Sequence, residues 1–316
     1  MGTTAPNPMV GCVIVVADRI IAEGYTSPYG GSHAEVNAIK AVKDPSILSQ
    51  ATLYVTLEPC AHFGKTPPCS DLIIAHQIPR VVIGCLDEHD KVCGKGISKL
   101  ETAGCQVTVG ILEAECKAHH KRFFTYHTKK RPYIILKWAE SNDGFMAPLS
   151  KSETKPVWIS NSFSRQRVHQ WRAEEQAILV GANTVVQDNP SLTTREVKGP
   201  NPIRIVIDLK NSLAESYQVF NSDAKTIRLT AKEIDTQKPL AFQVCKTLYK
   251  HHITSVIIEG GQKTLQSFID EDLWDEARIF SSALNLNNGI PKPHIDGILA
   301  TETSIGSDVL KLLIND

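Results

Sequence analysis

Three side chains with metal-binding chemistry and one spare carboxylate lie in the first quarter of the sequence. His33 is followed two positions later by Glu35, and the thiols of Cys60 and Cys69 come downstream. One imidazole and two thiolates leave the fourth position of a tetrahedral zinc ion open, which is typical of a catalytic rather than a structural site. Such a metal lowers the pKa of a bound water from about 16 towards 7. Glu35 is then the candidate proton carrier.

The spacing of these residues is similar to the signature of zinc-dependent base deaminases, in which a glutamate outside the metal shell acts as general acid and base. Eight residues, numbers 61–68, separate the two thiols here, whereas the common signature has two. We expect water to attack a ring carbon while Glu35 accepts a proton and delivers it to the departing amine. The predicted chemistry is hydrolytic deamination of an aminated heterocycle.

A purely structural interpretation of the same residues is also available. Ser32 and Glu35 fit a capping box, in which Ser32 is the N-cap and Glu35 reaches back to it. That interpretation leaves His33, Cys60 and Cys69 unexplained. Cys69 is predicted to lie at the start of a helix, where exposed N–H groups stabilise a thiolate. We therefore favour the metal site.

Three further polar residues are candidates for the same pocket. Asn7 stands between two prolines, so its amide could be fixed against the edge of a base, although a simple turn explains it equally well. His62 and Lys65 lie on the loop between the thiols. Lys65 could meet a phosphate, and a solvated loop lysine is the alternative.

Composition restricts the class of protein. The chain has 316 residues, of which 42% are apolar, and this length suits two packed domains. Lys plus Arg and Asp plus Glu both number 34, so the formal charge is zero and a polynucleotide substrate is disfavoured.

Compartment and partners are predicted from the same features. No apolar run approaches a membrane span and the start lacks a secretory pattern, so neither a membrane nor a secretion route is expected. Cysteine usage favours a reducing cytosol. We expect a cytoplasmic enzyme with a small phosphorylated pyrimidine as substrate and no nucleic-acid or membrane partner. A dimer or tetramer is the default assembly.

Apolar periodicity predicts two α/β domains, residues 1–130 and 131–316, joined at the polar stretch 127–132. Alternation of strands and helices predicts a layered α/β architecture for each. The first is predicted to contain strands 10–16, 19–24, 52–57 and 80–85 and helices 32–42, 69–76 and 97–103, then a helix ending near Phe124. The second is predicted to contain strands 133–137, 177–180, 203–207 and 255–258 and helices 162–174 and 263–270.

Seven stretches together resemble the bifunctional deaminase–reductase family of riboflavin biosynthesis. They are PNPMVGCVIV at 6–15, HAEV at 33–36, TLEPCAHFGKTPPC at 56–69, LKWAESNDG at 136–144, VWIS at 157–160, ANTVVQDNPSLTTR at 182–195 and IEGG at 258–261. The resemblance implies a cytidine-deaminase-like three-layer α/β domain followed by a dihydrofolate-reductase-like α/β domain. It implies zinc-dependent deamination of 2,5-diamino-6-ribosylamino-4(3H)-pyrimidinone 5′-phosphate, then NADPH-dependent reduction of the ribosyl group to a ribityl chain.

The resemblance also implies residue roles. In the first domain His33, Cys60 and Cys69 would be zinc ligands, Glu35 the proton shuttle, and Asn7, His62, Lys65 and Asp87 substrate contacts. In the second domain the cofactor contacts would be Ala139, Trp158, Thr184, Asp188, Gly261, Gln262, Lys263 and Thr264, and the substrate contacts Arg172, Leu192, Arg195 and Glu259.

Part of this assignment has an independent physical basis. Gly260 and Gly261 follow a predicted strand and open a helix, where backbone N–H groups can approach an anion, although most such turns are only turns. No G-x-G-x-x-G fingerprint is present. Arg172 and Arg195 are plausible phosphate forks, with surface arginines as the alternative. Lys137 is our hypothesis for the group that polarises the sugar carbonyl or imine.

Several positions depart from the family pattern. The family carries a further helix before Pro6, whereas this sequence starts at Met1, so the first core is expected to lack it. Thr26 stands where a histidine is common, and only Asp87 is retained from an Asp-Pro-Asn-Pro stretch. The Asn285–Asn287 stretch also deviates from the family pattern.

Three alternatives remain open at this point. The second domain could be non-catalytic beside a deaminase of another base. The whole chain could be a binding or regulatory protein with a relic fold, although an intact ligand set with Glu35 argues against this. A shortened start could leave an active reductase beside an impaired deaminase.

Overall fold

A computed structural model describes residues 3–63, 67–88, 93–150, 153–154 and 157–315. The chain divides into two compact units, one holding residues 3–130 and the other the residues from 131 onward. Within the described ranges, we find no helix whose length and apolarity would allow it to cross a bilayer.

The first unit is built on a five-stranded sheet. Its strands are β1 (Gly11–Val16), β2 (Arg19–Tyr25), β3 (Thr52–Leu57), β4 (Arg80–Cys85) and β5 (Gln106–Val109), in the order β2-β1-β3-β4-β5. Its helices are α1 (Ala34–Ala41), α2 (Cys69–Ala75), α3 (Lys95–Thr102) and α4 (Glu113–Thr128), with a 3₁₀ turn at Pro45–Gln50. β1 pairs antiparallel with β2 and β3, and β3, β4 and β5 run parallel.

The side chains of β3 and β4 alternate between the two faces of this sheet, and helices cover both faces. Val55 and Ile83 belong to the core that α1, α2 and α3 complete. Their neighbours Thr56 and Gly84 point the other way, because successive side chains alternate along a strand. α4 covers that face: His120 Nε2 lies 3.2 Å from Thr56 Oγ1, and a Cβ added to Gly84 would lie 2.3 Å from the Sγ atom of Cys116. The unit therefore has three layers.

The second unit is built on an eight-stranded sheet. Its strands, in the order β10-β9-β8-β11-β6-β12-β15-β14, are β6 (Tyr133–Glu140), β8 (Ala177–Gly181), β9 (Ile203–Ile207), β10 (Thr226–Leu229), β11 (Ser255–Ile258), β12 (Glu276–Ser281), β14 (Ile298–Ile305) and β15 (Asp308–Ile314). A small separate ribbon pairs β7 (Phe145–Ala147) with β13 (Ile290–Pro291). The helices are α5 (Ser162–Glu174), α6 (Ala182–Asp188), α7 (Leu240–Lys250) and α8 (Gln262–Asp270), with a 3₁₀ turn at Gln218–Phe220.

Six of these strands, β10 to β12 in the sheet order, run parallel, and β15 and β14 continue the sheet antiparallel. A parallel sheet covered on both faces has strands that are apolar throughout. β6 shows this, because Ile134 and Leu136 pack with α7 and α8 while Tyr133 and Ile135 pack with α5. By the same alternation Lys137 lies on the α5 face.

Several predicted element bounds are wrong by a few residues, among them α3, which spans Lys95–Thr102 rather than 97–103. Three others bear on the candidate sites. α1 begins at Ala34 rather than Ser32, since His33 is the N-cap and is extended there. α4 continues to Thr128 rather than ending near Phe124. β6 continues through Glu140, so Lys137 lies within the strand and not at its end.

Candidate active sites

Three metal-ligand side chains converge in the first unit. The donor atoms of His33, Cys60 and Cys69 all lie within 4.8 Å of one another. His33 Nδ1 is 3.6 Å from Cys60 Sγ and 3.3 Å from Cys69 Sγ. Zn–N bonds of about 2.0 Å and Zn–S bonds of about 2.3 Å at tetrahedral angles give a donor separation of about 3.5 Å. The donor set therefore fits a zinc ion in both chemistry and spacing.

The pKa values of the two thiols are shifted in opposite directions. The pKa of Cys60 is lowered to about 4, first because the Cys69 thiol donates a hydrogen bond to it and also because His33 lies beside it. The pKa of Cys69 is raised, because it is the donor in that pair and because it is buried. The backbone N–H of Cys69 also donates to Cys60 Sγ, at 3.3 Å. The N–H group at the start of α2 thus stabilises Cys60, whereas the sequence predicted that it would stabilise Cys69.

The capping-box alternative does not hold, because the N-cap of α1 is His33 and it makes no side-chain cap hydrogen bond. Glu35 is buried instead, with 4% of its surface exposed. Burial raises its pKa to about 7, and the nearby Cys60 adds to the rise. A carboxyl group with a pKa in this range is suited to both accept and return a proton at neutral pH.

A cavity of about 320 Å³ opens beside these residues. It lies at the carboxyl ends of the parallel strands β3 and β4, the usual position for a ligand in such sheets. The predicted residues His33, Glu35, Cys60, Asn7, His62 and Asp87 all line it. Cys69 is buried behind them, and Lys65 lies outside the described residues.

The sequence analysis missed other residues that shape this cavity. Phe123 and His127, one turn apart on α4, both line it, and their rings lie 4.5 Å apart. The sequence analysis assigned His127 to the domain boundary instead. Aromatic residues four apart on a helix are neighbours, and that spacing was the available signal.

Glu58 lies between the strand β3 and the ligand Cys60 in the sequence, and it also lines the cavity. It is 4% exposed, and its carboxylate accepts N–H groups from Gly96 at 2.9 Å and Gly94 at 3.0 Å. A Cβ added to Gly96 would lie 2.0 Å from the Pro59 carbonyl oxygen. The backbone at the start of α3 therefore packs directly against the segment that carries Cys60.

Two cavities in the second unit share one wall. A cavity of about 300 Å³ is lined by the predicted cofactor contacts Ala139, Trp158, Thr184, Asp188, Gly261 and Gln262. A cavity of about 660 Å³ is lined by the predicted substrate contacts Arg172, Leu192, Arg195 and Glu259. Lys137, Trp158, Thr184, Asp188 and Glu259 line both cavities. Lys263 is exposed and Thr264 packs behind the turn, and neither lines these cavities.

Lys137, Glu259 and Arg172 form a charged cluster on the shared wall. Arg172 Nη2 lies 2.8 Å from one Glu259 oxygen, and Lys137 Nζ lies 3.8 Å from the other. Burial would raise the pKa of Glu259, but Arg172 and Lys137 outweigh it and lower that pKa to about 2. Burial lowers the pKa of Lys137, Arg172 lowers it further, and Glu259 acts in the opposite direction.

The turns that begin α6 and α8 pack backbone against backbone. A Cβ added to Gly260 would lie 3.0 Å from the Gly181 nitrogen, and the N–H of Gly261 donates to Thr184 Oγ1 at 3.0 Å. Two helix starts therefore face the smaller cavity, where backbone N–H groups can bind phosphate. The residues present fit a nicotinamide dinucleotide.

Residues beneath the larger cavity fix its floor. The buried His169 accepts the Arg195 N–H on Nδ1 at 3.1 Å, and burial, helped by Arg172 and Arg195, lowers the pKa of His169 to about 4. Arg204 has no exposed surface and donates to the carbonyls of Ser191 and Gln218, at 3.3 and 3.0 Å. Neither residue was predicted from the sequence, since a lone buried histidine or arginine carries no motif.

Arg204 makes further hydrogen bonds and none of its described partners is a carboxylate. The further acceptors of Arg204 are Thr226 Oγ1, Asn221 Oδ1 and the carbonyl oxygens of Asn221 and Ala224.

Both halves of the chain match known protein families. Residues 132–288 match the RibD C-terminal domain, and residues 1–85 match the zinc-binding region of cytidine and deoxycytidylate deaminases. The riboflavin biosynthesis protein RibD of Aquifex aeolicus is 39% identical over 320 residues, covering 96% of this chain and 88% of that protein. RibD of Actinobacillus pleuropneumoniae is 41% identical over 282 residues, covering 83% and 74%.

Solved structures agree with this. The diaminohydroxyphosphoribosylaminopyrimidine deaminase/5-amino-6-(5-phosphoribosylamino)uracil reductase of Thermotoga maritima superposes with a TM-score of 0.91 at 36% identity, covering all of this chain and 94% of its own. Acinetobacter baumannii RibD superposes with a TM-score of 0.88 at 29% identity, covering 100% and 95%.

These matches confirm the predicted fold class, a cytidine-deaminase-like α/β domain followed by a reductase-type α/β domain. The predicted cofactors, zinc for the first domain and NADPH for the second, are confirmed for this family. A non-catalytic second domain is not favoured, because the matches extend over both halves. The protein acts on a small molecule, and the chain belongs to the RibD family of bifunctional riboflavin biosynthesis enzymes, which join a deaminase to a reductase.

Proposed function

We propose that residues 1–130 deaminate 2,5-diamino-6-ribosylamino-4(3H)-pyrimidinone 5′-phosphate and that residues 131–316 reduce the product to 5-amino-6-ribitylamino-uracil 5′-phosphate. The observation that carries the first assignment is the convergence of His33, Cys60 and Cys69 beside the buried Glu35. The second rests on the two cavities that meet at Lys137 and Glu259.

In the first reaction His33, Cys60 and Cys69 hold the zinc. The bound metal lowers the pKa of a water molecule into the neutral range. Glu35 accepts a proton from the attacking water and passes it to the amine. A C–O bond forms, the C–N bond breaks, and the amine leaves as ammonia. Asn7, His62, Lys65 and Asp87 orient the pyrimidine, and Phe123 offers an aromatic face to it.

In the second reaction Ala139, Thr184 and Gly261 would hold NADPH, which would supply a hydride for the first carbon of the sugar. The bond between that carbon and the ring oxygen breaks, and Lys137 delivers a proton to the oxygen. Burial and Arg172 lower the pKa of Lys137, which makes it a better proton donor at neutral pH. Glu259 holds Lys137 and Arg172 in place, at 3.8 and 2.8 Å.

The cavity linings support the proposed residue roles in the second unit. Ala139, Trp158, Thr184, Asp188, Gly261 and Gln262 contact the cofactor, with Lys263 and Thr264 at the helix start behind the turn. Arg172, Leu192 and Arg195 contact the phosphorylated substrate. Arginine suits this task because its planar fork matches phosphate oxygens.

We further propose that the protein is cytoplasmic and forms a dimer or tetramer, with no nucleic-acid or membrane partner. The formal charge of zero supports the absence of a polyanionic partner. Closed symmetric assemblies are the commonest state of metabolic enzymes. Light scattering of the purified full chain tests the assembly, and a monomer at working concentration would contradict it.

One experiment tests both reactions. The full-length, zinc-loaded chain is given the diaminopyrimidine ribotide with NADPH or NADH, and products are resolved by mass. We expect replacement of one amine by oxygen, followed by gain of two hydrogens that requires the nicotinamide. A parallel sample treated with a zinc chelator should lose the first change. It should still reduce the deaminated compound when that is supplied. Release of no ammonia by the zinc-loaded protein would overturn the deaminase assignment.

A further inference from the structure

We infer that Arg165 is a third phosphate-binding arginine of the reductase cavity and helps to select the phosphorylated pyrimidine substrate. The inference rests on the proposed reduction and extends it to a residue that neither the family resemblance nor any motif singled out. Arg165 lies in the first turn of α5, and it lines the larger of the two cavities.

The face of α5 that meets this cavity has strict helical spacing. Arg165, Val168, His169 and Arg172 all line the cavity, at intervals of three, one and three residues. Residues three, four and seven apart lie on one side of a helix. Arg165 therefore stands two turns before Arg172, on the same side, about 10 Å along the helix axis.

Arg165 has more uncommitted donors than its two neighbours. Arg172 donates to Glu259 Oε2 at 2.8 Å and to the Thr193 carbonyl at 3.4 Å. Arg195 donates to two hydroxyl groups, those of Ser191 and Thr193.

Arg165 makes a single such bond, from Nη1 to the Ser160 carbonyl at 3.0 Å. Among the described residues its Nε and Nη2 have no hydrogen-bond partner and no carboxylate partner, and the Nε and Nη2 of Arg195 likewise have no hydrogen-bond partner. A guanidinium in that condition can offer a fork to an anion.

Trp158 holds the Arg165 guanidinium in place. The guanidinium carbon lies 4.9 Å from the centre of the Trp158 ring, within the range of a cation–π contact. Such a contact restrains the side chain and leaves its edge donors available.

The position of Arg165 favours the substrate rather than the cofactor as its ligand. It lines the larger cavity together with Arg172 and Arg195, and it is not among the residues that line the smaller cavity at the Gly261 turn. His169 adds no charge there near neutral pH, because burial first, and then Arg172 and Arg195, lower its pKa to about 4. Among the described residues that line the larger cavity, the cationic side chains are Lys137 and the three arginines, and the carboxylates are those of Asp188, Asp223 and Glu259.

The test compares full-length Arg165→Met with the matched control Arg167→Met. Arg167 lies on the same helix, is exposed, and bonds to Gln170 rather than to the cavity. For Arg165→Met we expect the KM for the deaminated ribotide to rise about tenfold to a hundredfold, the range of one charge-assisted hydrogen bond. kcat and the KM for NADPH should stay within about threefold of wild type, and Arg167→Met should match wild type in all three. Arg165→Lys, which keeps the charge and loses the fork, should fall between.

Competition by inorganic phosphate is a second measurement, which compares the variant with the wild type by inhibition rather than by the KM of the ribotide. Phosphate should compete with the ribotide in the wild type and compete at least about tenfold less well in Arg165→Met. An unchanged ribotide KM in Arg165→Met overturns the inference, as does a rise confined to the KM for NADPH, which would assign the residue to a cofactor phosphate. If the wild type itself reduces no ribotide, the proposed function fails instead.

Discussion

Glu35 shows how burial converts an ordinary carboxyl group into a proton carrier. Its side chain sits at the first turn of α1 beside the ligand His33, and only 4% of the residue is exposed. Two residues away on the same turn, His33 faces the thiols. The metal ligand and the proton carrier are therefore fixed by one short segment, which explains why a three-residue motif carries so much of the chemistry.

Replacement of Glu35 separates metal binding from catalysis. Glu35→Gln keeps the shape of the side chain and removes its basicity, so zinc should stay bound while deamination slows by about 100- to 10,000-fold. Zinc content and ammonia release measure the two effects, with the exposed Glu101→Gln as control. Ammonia release at the wild-type rate would show that another group moves the proton.

Lys137 allows the same separation in the second unit. Lys137→Met removes the proton donor but keeps the length of the side chain, so ribotide reduction should fall by about 100-fold or more while NADPH still binds. Cofactor binding is measured by fluorescence titration and turnover by NADPH oxidation. The exposed Lys246→Met controls for loss of a lysine. Loss of NADPH binding in Lys137→Met would instead indicate a role in holding the cofactor.

Among the elements, the first residues of α3 pack against the segment between β3 and α2 and help to hold its position. Gly96 packs so closely that a Cβ there would lie 2.0 Å from the Pro59 carbonyl, next to the ligand Cys60. Gly96→Ala should therefore lower the free energy of unfolding of the first unit by about 1–3 kcal/mol and weaken zinc retention. Gly11→Ala is the matched control, because its Cβ would meet Thr56 Cγ2 at an ordinary 3.7 Å. Urea unfolding measures the free energy of unfolding, and metal analysis measures zinc retention. Equal stability of Gly96→Ala and Gly11→Ala would refute the role of this contact.

Some buried elements were predictable, but not all: β12 is buried almost throughout and was missed, because Glu276 and Arg278 interrupt its apolar pattern. The predicted strands at 52–57, 80–85, 203–207 and 255–258 have the observed bounds, since each is a short apolar run between polar residues. The exposed strand β14 has no such pattern, because all but one of its residues are exposed. α4 extends past its predicted end, since His127 is half-buried against the cavity rather than solvated.

The two candidate sites were predictable to different degrees. The zinc ligands and Glu35 form a motif with its own chemistry, and the structure brings them together. The reductase contacts were predicted from the family resemblance alone, because single arginines can simply be surface residues and a Gly-Gly pair can simply form a turn. Glu58, Arg165 and Arg204 went unnoticed, since their roles depend on backbone groups and side chains far away in the sequence.

For the whole molecule, two buried neutral histidines are expected to lower stability in acid. His120, in the first unit, has its pKa lowered to about 4 by burial and by His119, and His169, in the second, has a pKa of about 4 for the reasons given above. Above the unfolded value of about 6.5 both states are neutral at these positions. As pH falls from about 6.5 to 4, only the unfolded chain gains these protons, so the two histidines lower stability. In the first unit the buried Glu35, whose pKa is raised to about 7, acts in the opposite direction.

Replacement of His120 tests this prediction. Each histidine should contribute about 1–3 kcal/mol to the loss over that pH interval. His120→Gln should flatten the pH dependence of the free energy of unfolding of the first unit, measured by urea titration from neutral pH to about pH 4. The exposed His251→Gln serves as control for removal of an imidazole. An unchanged slope in His120→Gln would show that other groups govern acid unfolding.

The interior environment of Arg204 has a consequence for how the reductase cavity admits its ligand. The guanidinium of Arg204 donates hydrogen bonds to four backbone carbonyl oxygens. Two of these carbonyls belong to Ser191 and Gln218, which line the floor of the cavity. Moving these carbonyls apart would leave the buried guanidinium charge without hydrogen-bond partners, which costs free energy. The floor is thus held from beneath, and we expect the cavity to accommodate incoming molecules through rotamer changes of the side chains above it.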